Sequence, residues 1–239
     1  MPQAVSFDFW NTLYADGAED QRRILRKEYF AALLNTYGNY GPADIEQAFS
    51  AGSNLFLENW IHHSKTPTAA ERIRFMAQSL GVNLKDSHVQ EATEYYGQMI
   101  FEIQPAEIDF VKELIPELAK KYPLGIISDT GYITVEYIRK FLKKENLLKH
   151  FSSFVFSDEN EHSKPHESVF QKTAQKLGIE TKKLMHVGDL ERTDVAGANA
   201  SGCISVKFTG VHNDNSQNGQ AQYVISNYRE LPDIITKSI

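Results

Sequence analysis

Residues 3–13, Gln3-Ala4-Val5-Ser6-Phe7-Asp8-Phe9-Trp10-Asn11-Thr12-Leu13, decide how this chain is read. A largely apolar run ends in a carboxylate, and turn-forming residues follow at Asn11, Asp16 and Gly17. Residues 3–9 therefore predict a short strand with Asp8 at its end. Working outward, three further stretches complete the pattern. Leu124-Gly125-Ile126-Ile127 is closed by Ser128, with Asp129 and Thr130 in the turn beyond; Lys164 precedes Pro165 at the start of a helix-like stretch; and Leu184-Met185-His186-Val187 runs into Gly188-Asp189-Leu190-Glu191-Arg192-Thr193-Asp194. Taken singly, each has an ordinary explanation: a capping aspartate, a turn serine, a solvated lysine, a helix-capping Asp194. Together, a carboxylate, a hydroxyl, an ammonium and a second carboxylate are placed to meet at one edge of a parallel sheet.

Two hydrophobic rhythms divide the chain. From about 18 to 103 the period is helical: Phe30, Leu33, Leu34 and Tyr37 repeat on one face before Gly38, and Ile45, Ala48, Phe49, Gly52, Phe56 and Trp60 line the next. Thr66-Pro67 predicts an N-cap with proline at the first helical position, ahead of Ile73, Met76 and Leu80. Ser87 with Gln90 predicts a capping box before Val89, Ala92, Tyr96 and Ile100. After Pro105 helix and strand alternate. Apolar runs at 124–127, 153–156, 184–187, 204–208 and 223–225 are short and nearly uncharged, as strands covered by helices on both faces must be. Helices are expected over 107–121, 132–145, 166–177 and 193–201, with Gly178 and Gly202 as stops. The predicted fold class is α/β: a doubly wound, Rossmann-like parallel sheet made of residues 1–15 and 104–239, with a helical domain, 16–103, inserted after its first strand. Residues 213–219 predict a mobile polar loop.

Bulk composition narrows the class. The 239 residues are 41% hydrophobic and 23% charged, ordinary for a globular protein. No apolar run approaches the ~18 residues of a membrane span, and seven residues before Asp8 leave no room for a signal peptide. One cysteine, Cys203, excludes an internal disulfide and fits a reducing, cytoplasmic compartment, with the thiol expected as a small apolar group in a buried strand. A net charge of −6 without a basic block argues against nucleic acid as a partner. Glycines do not follow the first strand, which excludes a dinucleotide-binding loop there.

A carboxylate attacks phosphorus only when a cation relieves the anion–anion repulsion. Asp8 and Asp189 can supply two sides of such a site, and Mg²⁺ is the expected ion because it takes few carboxylates, keeps waters and shares phosphate oxygens. Asp194 either orients a metal-bound water or caps its helix. The motifs as a set resemble those of the haloacid dehalogenase-like hydrolase superfamily, with Asp8–Thr12, Ser128, Lys164 and Gly188–Asp194 in the family's order. The resemblance spans nearly the whole chain and identifies the 16–103 segment with the family's helical cap. It implies Asp8 as nucleophile; a Mg²⁺ site from Asp8, the Trp10 carbonyl, Asp189 and Asp194; and a phosphate site from Asn11, Thr12, Ser128, Asp129 and Lys164. It also implies a small phosphorylated metabolite as substrate.

One position departs from the family's phosphatases. They carry a second aspartate two residues after the nucleophile, as general acid and base, and here that residue is Trp10. Loss of such a group costs about 10²- to 10⁴-fold in rate. The family's dehalogenases carry an aromatic tyrosine at this place. Three readings stand: a Mg²⁺-dependent phosphatase, a metal-independent 2-haloacid dehalogenase, and a low-activity binding protein on the same fold. Substrate selection is expected in the helical domain, with Trp60-Ile61-His62-His63-Ser64-Lys65 and Arg22-Arg23 as polar and aromatic candidates. The residues select neither a metabolite nor an oligomeric state.

Overall fold

The computed structural model describes residues 1–216 and 220–238. In chain order its elements are β1 (Ala4–Phe7), β2 (Tyr14–Ala15), α1 (Glu19–Leu34), α2 (Pro42–His62), α3 (Ala69–Gln78), α4 (Asp86–Glu102), β3 (Ala106–Glu107), α5 (Val111–Ala119), β4 (Leu124–Ser128), α6 (Val135–Lys144), β5 (Ser153–Phe156), α7 (Glu167–Lys176), β6 (Leu184–Gly188), α8 (Ala196–Ala200), β7 (Ile204–Phe208), β8 (Tyr223–Ile225) and α9 (Leu231–Lys237). No helix among the described residues is long and apolar enough to cross a membrane.

Six strands pair in the order β5-β4-β1-β6-β7-β8, all parallel. The fold is thus the doubly wound α/β sheet that the apolar runs predict. β1, β4 and β6 are buried along their whole length, which is why they read as uninterrupted apolar stretches. From β1 the chain winds outward through β4 to β5, then returns to β6 on the other side of β1. Strand order therefore reverses at β1, and a crevice opens at the carboxyl ends of β1, β4 and β6. Register aligns those ends: Phe7 pairs with Ile126 and with Val187.

The chain divides into two compact units. One comprises 1–16, 106–129 and 142–239; the other comprises 17–105 and 130–141. In the first, Ala4, Ile127, Val155, Phe170, Leu184, Ala198 and Cys203 belong to one buried cluster. The antiparallel pair β2–β3, Tyr14 opposite Glu107, fastens the points where the chain leaves and re-enters this unit. In the second, Phe30, Leu34, Phe49, Ile73, Met76, Tyr96 and Met99 form a separate core. Gly97 is required there, because a Cβ would stand 2.2 Å from the Tyr137 ring. Thr130–Phe141 groups with the helices, although it follows β4 directly in sequence.

Local expectations fail where capping competes. Thr68, not Thr66, caps α3: its Oγ1 accepts from Glu71 N at 3.2 Å while Glu71 Oε2 accepts from Thr68 N at 2.7 Å. A complete reciprocal box outweighs proline at the first position. Ser87 lies inside α4, which begins at Asp86 after Lys85, so the Ser87–Gln90 box does not form. α1 ends at Leu34, leaving Tyr37 in the turn beyond, and α5 starts at Val111 because residues 106–107 are taken by β3. Gly178 and Gly202 adopt φ of +70° and +73° as helix stops. Residues 213–216 carry no strand or helix; Gln217, Asn218 and Gly219, the rest of the expected polar loop, lie outside the described residues.

Candidate active site

Asp8 follows β1 and is anchored by its own N–H, which donates to Val187 O at 2.9 Å. The turn after it closes through Leu13 N and Tyr14 N, donating to Phe9 O at 2.9 and 3.1 Å. Asn11 takes a positive φ of 54° in this turn, and its Oδ1 accepts from Asp16 N at 3.0 Å. That side-chain carbonyl thus shapes the turn. Trp10 is half-buried, its ring edge-on to Phe9 at 4.8 Å. Thr12 is fully buried; its carbonyl accepts from Tyr228 Oη at 2.5 Å and its hydroxyl approaches Asp189 Oδ1 at 3.5 Å.

Lys164 organises the site. Its Nζ donates to Asp8 Oδ1 at 2.7 Å and to Asp194 Oδ1 at 2.6 Å, and all three groups are buried. Asp129 accepts from Lys164 N at 3.1 Å, tying the turn after β4 to this loop. Gly197 lets α8 approach: a Cβ there would be 3.0 Å from Pro165 Cα and 2.7 Å from the Phe170 ring. Ser128 Oγ is buried at the end of β4; among the described residues it has no hydrogen-bond partner within 3.5 Å, yet it lies near enough to Asp8 to draw that carboxyl down slightly against the larger effect of burial.

Asp194 sits in a π-helical turn, Glu191–Val195, that precedes α8. Both its oxygens are occupied. Oδ1 accepts from Lys164 and from His186 Nε2 at 3.0 Å, while Oδ2 accepts from Leu190 N at 3.0 Å and Thr193 Oγ1 at 3.4 Å. Gly188 makes this possible, since a Cβ there would stand 2.2 Å from Asp194 Cγ. His186 in turn accepts at Nδ1 from Ser6 Oγ, 2.9 Å away on the neighbouring strand.

The electrostatics follow from burial without enough positive charge. Asp8, Asp189 and Asp194 bring carboxylate oxygens within 4.8 Å of one another, and Lys164 is the cation bonded among them. Burial raises the Asp8 carboxyl against the pull of Lys164. Burial, then the charges of Asp194 and Asp8, push Asp189 up to about 9. Burial works against Asp194 too, but Lys164 and His186 outweigh it and hold that group below the usual carboxylate range. For Lys164, burial is outweighed by Asp194 and Asp8, which hold the ammonium above its ordinary value. Burial keeps His186 below its ordinary value, hence neutral near pH 7. Two carboxylates with raised pKa, facing one lysine, form a hard, oxygen-rich set that fits a divalent cation such as Mg²⁺. Asp8 and Asp189 have the freer oxygens, whereas both oxygens of Asp194, the third member of the group, already accept hydrogen bonds.

The structure brings Asp8, Thr12, Ser128, Asp129, Lys164, Asp189 and Asp194 together in the sheet-bearing unit. The expected selectivity residues lie in the other unit. There Arg22 is fully buried and Arg23 exposed, while His62 and His63 are exposed where α2 ends. Sequence reasoning missed His186 and Ser6, whose signal was a polar residue inside each of two paired apolar strands. It also missed a support behind the π-turn. Lys207 and Glu191 are a buried pair at 2.7 Å, Lys207 Nζ also donates to Asp214 O, and Asp214 Oδ2 accepts from Glu191 N at 2.8 Å. His212 Nε2 reaches Asp189 Oδ2 at 3.5 Å.

The sequence pattern of the haloacid dehalogenase-like hydrolases matches residues 30–208. A phosphoglycolate phosphatase of Escherichia coli is 29% identical over 121 residues, 51% of this chain and 43% of its own length. The chain thus matches less than half of that relative. A glyceraldehyde 3-phosphate phosphatase of Methanopyrus kandleri is 23% identical over 241 residues, covering 98% of this chain and 97% of the relative. In fold, a crystal structure of a 2-haloacid dehalogenase from Pseudomonas syringae superposes with a TM-score of 0.75 at 20% identity, over 99% of each chain.

Proposed function

Since this chain belongs to the haloacid dehalogenase-like hydrolase family, we propose that it hydrolyses a small phosphorylated metabolite, with Asp8 as nucleophile and Mg²⁺ as cofactor. The observation that carries the reading is the buried cluster of Asp8, Asp189 and Asp194 around one lysine. The phosphatase names of two relatives support the ester class.

Asp8, Asp189 and the main-chain oxygen of Trp10 would hold the ion, with Asp194 fixing Lys164 and the Leu190 turn beside them. When bound, Mg²⁺ offsets the repulsion between the Asp8 carboxylate and the phosphate. Asp8 then attacks phosphorus, the phosphorus–oxygen ester bond breaks, and an aspartyl-phosphate forms on Asp8. Lys164 neutralises charge on the incoming phosphoryl group while orienting Asp8 Oδ1. Ser128 Oγ, buried with no hydrogen-bond partner among the described residues, donates to a phosphoryl oxygen, with Thr12 and the turns at Asn11 and Asp129 shaping the remainder of the cradle. Water hydrolyses the acyl phosphate, releasing inorganic phosphate and restoring Asp8. Trp10 carries no transferable proton, so the leaving oxygen takes its proton from solvent. The unit of residues 17–105 and 130–141 serves as the cap that selects substrate, and the single buried thiol of Cys203 supports a cytoplasmic protein.

A second reading rests on Trp10, an aromatic residue where general acid–base chemistry is expected: metal-independent hydrolysis of a 2-haloacid by the same Asp8. The carboxylate cluster weighs against it, because displacement of halide needs no cation. Assays of phosphate esters with and without Mg²⁺, beside halide release from 2-chloropropionate, separate the two. Mg²⁺-dependent phosphate release that disappears in the nearly isosteric Asp8→Asn is the expected result. Metal-independent halide release with no phosphate release would overturn the proposal, and activity with neither substrate class would favour a binding protein.

A further inference from the structure

The helical unit buries three arginines: Arg22, Arg26 and Arg72. Arg22 donates from Nη1 to Ile103 O at 2.8 Å and has its Nε 3.6 Å from Glu19 Oε2, while Arg26 is paired through Nη2 with the other oxygen of Glu19. Arg72 is different. It is 7% exposed, and among the described residues its guanidinium makes no ion pair or hydrogen bond; its Nε is fully buried without a partner. Aromatic faces surround it instead, with its Cζ 3.8 Å from the Tyr132 ring centroid and 4.8 Å from that of Phe56. Tyr132 offers no negative partner, since its hydroxyl donates to Met76 Sδ at 3.1 Å. Glu19 faces Arg26, whose Cζ is 4.8 Å from the same Tyr132 ring.

Buried polar groups are nearly always satisfied, and a buried charge without a counter-ion is among the costliest features a fold can carry. Stacking on a ring satisfies the face of a guanidinium and leaves its planar edge of N–H donors unused. Gly131 keeps space beside that edge, because a Cβ there would have one atom within 4 Å, Arg72 Nη1 at 3.6 Å. We propose that Arg72, stacked against Tyr132 and Phe56, anchors a binding site in the helical unit for the carboxylate of a small organic acid. A carboxylate matches the planar fork with two parallel hydrogen bonds. Glu19 is already shared between Arg26 and Arg22, so Arg72 is left without an ion-pair partner among the described residues, which a carboxylate would supply. A phosphate dianion would cost more to desolvate among Phe56, Met76 and Tyr132 than a carboxylate monoanion. This inference stands on the helical unit alone and does not depend on the phosphatase reading.

The test uses the full chain labelled with ¹⁵N-arginine, titrated with acetate against chloride at constant ionic strength. The Arg72 Nε–H resonance, identified by its loss in Arg72→Lys, should shift saturably with acetate and not with chloride. Binding followed through Phe56 and Tyr132 ring signals should weaken roughly tenfold or more in Arg72→Lys, the equivalent of one charge-assisted hydrogen bond. Lysine keeps the charge and loses the fork. Phe56→Leu should weaken binding also, which keeps the test open if an Arg72 variant does not fold. Asp8→Asn should bind acetate as wild type does. The proposal is overturned by a non-saturating response, by wild-type affinity in Arg72→Lys, by preference for inorganic phosphate, or by loss of binding in Asp8→Asn, which would place the anion at the sheet edge.

Discussion

Gly188→Ala offers a test of the site at single-methyl resolution. The new Cβ would stand 2.2 Å from Asp194 Cγ, so the carboxylate must retreat by about 1.2 Å to reach ordinary contact at 3.4 Å. Its bond to Lys164, 2.6 Å long, cannot survive such a shift, nor can the 3.0 Å bond from His186 be kept in line. Overpacking costs about 1–3 kcal/mol, and one lost charge-assisted hydrogen bond about 1.5–3 kcal/mol. We expect destabilisation of about 3–5 kcal/mol, a drop in Tm between about 6 and 20 °C at this chain length. Urea unfolding followed by tryptophan fluorescence should show a lower midpoint at unchanged slope. Gly178→Ala is the control: φ is +70° but nothing lies within 4 Å, so it should cost about 1 kcal/mol and spare activity. A change under about 0.5 kcal/mol in G188A, with wild-type turnover, would refute the role assigned to Asp194.

Asp189→Asn should bind Mg²⁺ far more weakly by calorimetry, and unchanged binding would remove Asp189 from the metal site. The same group predicts a pH signature. Its pKa is raised from 3.8 to about 9 by burial and by Asp194 and Asp8, so the folded state holds a proton that the unfolded state loses. That contribution to stability is fully present below about pH 3.8 and is lost as pH rises through about 9. Saturating Mg²⁺ replaces the proton and should flatten the decline of Tm with pH over this window, whereas identical slopes with and without the ion would contradict it. Trp10→Asp should accelerate alkyl phosphates more than p-nitrophenyl phosphate, by up to ~10²–10⁴ in kcat/KM; fast wild-type cleavage of alkyl phosphates would show that another group supplies the proton. Cys203, buried with its thiol pushed up to about 12, should resist a thiol-modifying reagent in the native protein and react on unfolding, and native-state labelling would place it elsewhere.

How much of this was legible in one dimension follows from the range of the interactions. The sheet strands show as short apolar runs because a strand covered on both faces has no polar side to display. Asp8, Ser128 and Asp189 could be placed because each closes or follows such a run, and parallel strands put those ends on one edge. Local signals were weaker where two were close together, as at Thr66 and Thr68, since the choice between caps depends on which reciprocal hydrogen bonds can both close. The short β2–β3 pair carries no pattern of its own, because its pairing is set by the return of a distant segment.

The sequence by itself determined the α/β class, the helical insertion and the identity of the acidic residues at the strand ends, because periodicity and chain order are local properties. Only the tertiary structure decided which partners each acid meets. Lys164 lies 156 positions from Asp8 and 30 from Asp194, yet it bonds both. His186, silent inside an apolar strand, becomes a partner of Asp194 through the turn that Gly188 permits. Arg72 reads as one charged residue on an amphipathic helix until folding encloses it between aromatic rings with no ion-pair partner among the described residues. Burial and proximity are created by packing, and they set the charge of a group, its partner and its chemistry.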